Sequence, residues 1–267
     1  MNTIISLFIM LSMLSGVGSD TLGFDYHRQL DDSEYSETFS YPISSYLNKN
    51  SFKGNFCGEM SLLNALDIMS MRSFRNVSGL TVSDLVNKYF VDPNTNTILA
   101  TYKNNNFAFD NPSGVMNPTA MYYILKSVGE DSTLWSTEII RGNAESKYQE
   151  PAKVADLDSI IEKANEKVFS KGGIIIADAT VNTSWKETYP LSFVPKDSKY
   201  FYGHFFVILG MYKNSRGEYI MKIVDSLGSD KNGYYGDVNI LAYTLSPNFD
   251  SKYTGLTNLF GLIPSGE

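Results

Sequence analysis

A chain of 267 residues with 43% apolar content is long enough to build one large domain, or two small lobes, around a packed core. Its 22 basic and 29 acidic residues leave a net charge of −7. A phosphate backbone or an anionic membrane surface is therefore repelled over most of the molecule, and no nucleic-acid partner is expected. One cysteine and two histidines provide neither an internal disulfide nor the ligand set of an ordinary zinc cluster, so no metal and no other cofactor is expected.

Residues 4–14 form an almost unbroken apolar run followed by Gly16-Val17-Gly18, a small-x-small pattern that suits signal peptidase. The run is about half of the roughly 20 residues that cross a bilayer. It predicts a signal peptide over residues 1–18 and a secreted, periplasmic or extracellular mature chain, 19–267, with no stable membrane insertion after signal removal. Residues 19–37 are polar and acidic, carry His27 and read as a surface arm or first turn. Asn76-Val77-Ser78 and Asn182-Thr183-Ser184 fit the glycosylation sequon, a triplet that also arises often by chance.

From Cys57 to Met71 the residues are apolar on most sides without an internal breaker, which predicts a buried helix. A second short helix is expected over 81–90, with Thr81 as its cap. Asn, Pro and Gly then dominate residues 91–118, which read as loops around one short strand near 98–102, and as the place where two lobes would meet. Asn117-Pro118 starts a helix through residue 128. Leu157, Ile160, Ile161, Ala164 and Val168 repeat at helical spacing until Gly172-Gly173, and a strand follows over 174–177. Residues 201–209 (FYGHFFVIL) and 218–225 (EYIMKIVD) flank a polar KNSRG turn and read as a β-hairpin. No internal repeat breaks the chain, which reads as one folding unit.

Cys57 opens the first of these helices, where unpaired N–H groups and the positive end of the dipole favour an anion such as a thiolate. A packing cysteine is the alternative. The hairpin supplies the missing partners. His204 and Asp225 are equidistant from a centre at 214.5, inside the KNSRG turn, so an antiparallel ladder makes their side chains neighbours. A carboxylate beside an imidazole fixes its tautomer and supports its protonated form, the orienting role in a nucleophile, base and acid triad. A bulge would shift the pairing and bring in Asp230, Asp237 or Asn239 instead.

Four segments, NFCGEMSLLNAL (55–66), LDSIIEKANEKVFSKGGIIIADA (157–179), GHFFVILGMY (203–212) and IVDSLG (223–228), stand in the order found in the papain-like cysteine peptidase superfamily. The chain resembles that superfamily, and within it the bacterial branch related to the double-glycine leader peptidases. The resemblance implies an α+β, papain-like fold: a buried helix carrying the nucleophilic Cys, packed on an antiparallel sheet carrying His and Asp. It implies Cys57 as nucleophile, His204 as general base and then acid, and Asp225 as the residue that orients it. Where the family has a Gln six residues before the nucleophile this chain has Ser51, so Asn50, Ser51 and Asn55 are the oxyanion-hole candidates.

Gly58, Glu59, Trp185 and Gly203 are the substrate-cleft candidates. Glu59 is either a favourable first-turn carboxylate or a group that selects a basic substrate. Trp185 belongs to an aromatic, proline-flanked segment, 182–199, which reads as a cleft wall or lid, or as a loop packing its own cluster. The loop 225–237 misses the calcium-binding pattern, which wants an oxygen ligand where Tyr234 stands.

The expected function is therefore a secreted cysteine hydrolase that cleaves a peptide or amide bond of a peptide or protein substrate through a Cys57 acyl-enzyme. An acyltransferase or transglutaminase-like enzyme could use the same triad, and a non-catalytic surface or host-interacting protein could use a degenerate version of the scaffold.

Overall fold

The computed structural model describes residues 27–28, 56–73, 82, 84–85, 91–92, 97–98, 101–102, 105–106, 118–143, 149–182, 201–227, 233–246 and 250–265. Their architecture is α+β. Six strands, β1 (Trp135–Arg141), β2 (Ile174–Asn182), β3 (Phe201–Lys213), β4 (Tyr219–Asp225), β5 (Tyr234–Asn239) and β6 (Leu256–Pro264), form one antiparallel sheet in the order β1-β6-β2-β3-β4-β5. Among the described residues the helices are α1 (Cys57–Ser73), α2 (Pro118–Ser132), α3 (Leu157–Lys167) and a single turn, α4 (Ile240–Tyr243), and Val82, Asp84 and Leu85 are helical as well.

The sheet has a core on each side. On one face Ile174, Ile176, Phe205, Val207, Val224, Phe260 and Leu262 pack with α1 and α2. On the other, Ile175, Ala177, Phe206, Ile208, Ile223 and Leu259 pack with α3 and α4. This explains the Ile174-Ile175-Ile176 run: a strand covered on both faces carries apolar residues at consecutive positions. Burial of α1 on nearly all sides follows from its uniform apolarity. Arg72, in its last turn, donates from Nη1 to the carbonyls of Gly172 (2.6 Å) and Gly173 (2.9 Å), tying the C-terminus of α1 to the start of β2. Burial lowers the Arg72 pKa to about 10, with Tyr235 acting in the opposite direction.

The elements differ from the sequence reading at several places. The strand expected over 174–177 runs on to Asn182, and the helix expected to end at 128 continues to Ser132. Residues 91–106 hold two short antiparallel pairs, Val91–Asp92 with Thr97–Ile98 and Thr101–Tyr102 with Asn105–Asn106, rather than one strand near 98–102. The helical period that starts at Leu157 and includes Val168 gives a helix only as far as Lys167, and a 3-10 turn follows, closed by Gly172 at φ +77°. Three strands, β1, β5 and β6, and the turn α4 had no counterpart in the sequence reading. His27, from the segment read as a surface arm or first turn, is docked on α1. Its backbone N–H donates to Asn64 Oδ1 (2.6 Å), its carbonyl accepts from Asn64 Nδ2 (3.1 Å), and its ring lies 3.0 Å from Asp67 Oδ2 on α1. The apolar run at 4–14, the sequon at 76–78, the cap Thr81, Asn117 and the segment 183–200 lie outside the described residues. Among the described residues no helix is long and apolar enough to cross a membrane.

Candidate active site

Cys57 is the first residue of α1. The helical ladder begins with Met60 N donating to the Phe56 carbonyl (3.0 Å), so the amides of Cys57, Gly58 and Glu59 stand outside it at the positive end of the helix. Phe56 and Met60, in the same core as Cys57, are both fully buried, and Cys57 itself retains 7% exposure.

His204 and Asp225 are brought together, by a register that differs from the expected one. The turn is built on Asn214, whose Oδ1 accepts from Arg216 N and Glu218 N (both 2.9 Å), with Gly217 at φ +78°. A bulge between Ile208 and Gly210 shifts the ladder once more. Val207 faces Val224 and Ile208 faces Ile223, so the continued ladder sets Asp225 opposite Phe206. His204 is then the diagonal neighbour on the same face, within reach of a long side chain. Its Nε2 lies 2.6 Å from Asp225 Oδ1, and both side chains are buried.

The carboxylate dictates that Nε2 carries the proton, which leaves Nδ1 to act on the thiol. Cys57 is among the groups that act on this imidazole. Burial opposes a charge on His204, but Asp225, by charge and hydrogen bond, and to a smaller degree Cys57 outweigh it and hold the imidazolium well above the ordinary histidine range. The Phe206 ring stacks on the imidazole, with centroids 6.1 Å apart and planes at 29°.

The alternatives for the orienting residue lie elsewhere. Asp237 pairs with Lys222 across the ladder and accepts from the Tyr212 hydroxyl (3.2 Å), and Asn239 caps α4 by accepting from Leu241 N (2.9 Å) and Ala242 N (3.3 Å). Asp230 lies outside the described residues, as do Asn50, Ser51, Asn55 and Trp185. Gly58 and Glu59 are buried, so neither lines an open cleft, and Gly203 is exposed. Glu59 is not a solvated first-turn carboxylate either. Both of its side-chain oxygens are buried without a hydrogen-bond partner, and desolvation raises its pKa to about 8, against a small opposing effect of its own backbone amide.

Two residues of the site escaped the sequence reading. Tyr243 donates its hydroxyl to Asp225 Oδ2 from the single turn α4. Asp178 on β2 pairs with Phe205, next to the Ala179–His204 pair, and its Oδ2 accepts from Thr257 Oγ1 (2.5 Å) and Asn258 Nδ2 (3.1 Å). Burial raises the Asp178 pKa, and those two bonds and the charge of His204 pull it the other way. No local signal marked either residue: one is a tyrosine among 18, the other an acid inside an apolar strand. Among the described residues no group of three His, Cys, Asp or Glu side chains could hold a metal ion. No protein-family model matches the chain, and no curated protein matches it.

Proposed function

We propose that the protein is a thiol hydrolase of papain-like design that cleaves a peptide or related amide bond, and that it acts after secretion. The observation that carries this reading is the buried His204, held by Asp225 at 2.6 Å, with the cysteine that opens α1 among the groups that raise its pKa. A cysteine at a helix N-terminus beside an imidazolium is the arrangement that makes sulfur a nucleophile at neutral pH.

In the reaction, the thiol proton already rests on His204 Nδ1 as the imidazolium, and the Cys57 thiolate attacks the carbonyl carbon. The oxyanion that forms lies near the helix N-terminus, where the amide of Cys57 is the donor at hand. His204 returns the proton to the leaving amine as the C–N bond breaks, giving a thioester. Water, deprotonated by the same imidazole, attacks the thioester and releases the acid and the thiol. Asp225 keeps the proton on Nε2 throughout and supports the charge on the ring.

A fluorogenic peptide-amide library tests the proposal. Turnover that falls at least ~10³-fold in Cys57→Ala and in His204→Ala is expected, on the scale of losing one member of a triad. Full amidase activity in Cys57→Ala would overturn it. Product carrying an added amine in place of water would point to acyl transfer by the same residues, and a wild-type thiol of ordinary reactivity to a binding role.

A further inference from the structure

We infer that Tyr243 is a positioning residue, which locks the Asp225 carboxylate and the His204 ring in the orientation that aims Nδ1 at Cys57. The inference rests on the thiol-hydrolase reading above and extends it to a residue eighteen positions beyond the triad. Asp225 is 0% exposed, and each of its oxygens is committed. Oδ1 accepts from His204 Nε2 (2.6 Å) and from Leu227 N (2.8 Å), and Oδ2 accepts from the Tyr243 hydroxyl. A carboxylate is symmetric about its Cβ–Cγ bond and can present either oxygen to a partner. Here the backbone amide on one oxygen and the phenol on the other remove that freedom.

Tyr243 acts on the imidazole from a second side as well. Its ring meets Phe206 edge to face, with centroids 5.2 Å apart at 85°, and Phe206 is the ring stacked on His204. One side chain thus backs both members of the pair, by its hydroxyl and by its ring. Its own seat is firm. Asn239 caps α4, Thr244 Oγ1 donates to the Ile240 carbonyl (2.7 Å), and Leu245 N donates to the Thr180 carbonyl (2.9 Å) on β2. The turn that carries the phenol is therefore fastened to the strand that pairs with the His204 strand. Tyr243 is fully buried, so its hydroxyl would be costly to bury were it not committed to the carboxylate.

Cys57 is the only cysteine, so iodoacetamide labelling of the full chain reads this site alone. The rate is followed from pH 4 to 9 in wild type, His204→Ala, Tyr243→Phe, Asp225→Asn and the Asp225→Asn/Tyr243→Phe double variant, with a thermal melt of each. Tyr243→Phe keeps the ring against Phe206 and removes only the hydroxyl. It is expected to slow labelling at pH 6 about tenfold, the scale of one hydrogen bond to a charged group. The acid limb of the profile moves up, the plateau at pH 9 stays, and in the Asp225→Asn background the Tyr243 change adds nothing. A Tyr243→Phe profile that superposes on wild type, while His204→Ala slows labelling, overturns the role of Tyr243 and leaves the hydrolase reading standing. Full additivity with Asp225→Asn overturns it too. Wild type labelling no faster at pH 6 than His204→Ala overturns the hydrolase reading and this role with it. Should Tyr243→Phe fail to fold, proton NMR of the wild type decides: a slowly exchanging hydroxyl proton with cross-peaks to the Tyr243 ring, lost in Asp225→Asn, supports the role, and its absence in wild type overturns it.

Discussion

Glu59 shows what burial does to a single carboxyl group. It sits in the first turn of α1, where a solvated carboxylate would gain from the helix dipole, but it is 0% exposed and neither oxygen finds a partner. Folding therefore holds it neutral: its pKa rises from 4.5 to about 8. A carboxyl group whose folded pKa lies above its unfolded one costs nothing below pH 4.5, where both states are protonated. Between 4.5 and 8 the unfolded chain ionises and the folded one does not, so stability falls with rising pH until the folded group ionises as well. The accumulated cost reaches at most ~5 kcal/mol. Glu59→Gln removes the titration and keeps the shape. Chemical unfolding at pH 4, 6 and 8 is expected to show the variant gaining on wild type at each step. A wild-type minus variant difference that does not change with pH would mean that Glu59 reaches a partner or water in the folded protein.

At the scale of elements, the site depends on one crowded crossing. An added Cβ on Gly255 would stand 2.0 Å from the Thr180 carbonyl oxygen and 2.6 and 2.7 Å from the Leu245 carbonyl oxygen and nitrogen, all backbone atoms with no rotamer to yield. Two of them, the Thr180 oxygen and the Leu245 nitrogen, make the hydrogen bond that fastens the segment after α4 to β2. Gly255→Ala is expected to lower the urea midpoint by about 1–3 kcal/mol or more in free energy, with m unchanged. A Cβ added to Gly210, at the bulge, would meet nothing within 4 Å, and Gly210→Ala is expected to stay within ~0.5 kcal/mol. Equal effects at the two positions would sink the argument. The same crossing shows why some elements were legible in the sequence and others were not. α1 and α3 announce themselves by uniform or periodic apolarity, and β3 and β4 by a turn of Asn and Gly between β-rich runs. β6 does not: it is covered on both faces, so it lacks alternation, and Asn258, Gly261 and Pro264 punctuate it like a loop. The nearness of His204 and Asp225 was legible because side chains alternate with a period of two, which survived a two-residue error in register. The residues that hold the pair in place, Tyr243 above all, were not, because their contacts arise from how distant segments pack.

Taken whole, the described residues form three layers, with one sheet between two helical layers. The two cores are distinct in membership, yet they share every central strand: Ile174 and Ile176 face one, Ile175 and Ala177 the other. Neither core can lose its packing without exposing the back of the other, so the molecule is expected to unfold in one step rather than as two lobes. Trp135 tests this from the α2 side. It is 2% exposed at the start of β1, and its Nε1 donates to the Leu125 carbonyl at 3.0 Å, so its fluorescence reports the junction of α2 with the sheet. Trp185 is the only other tryptophan, and Trp185→Phe makes Trp135 the sole reporter. In that variant the urea transition followed by tryptophan fluorescence is expected to coincide with the one followed by far-ultraviolet circular dichroism, and with the loss of His204-dependent labelling at Cys57. Coincidence follows if the helix that carries Cys57 and the strand that carries His204 are stabilised by one cooperative structure. A fluorescence midpoint that precedes or trails the others would show that the α2 layer unfolds apart from the sheet, and the Cys57–His204 contact would then be a docking of two units rather than a product of a single core.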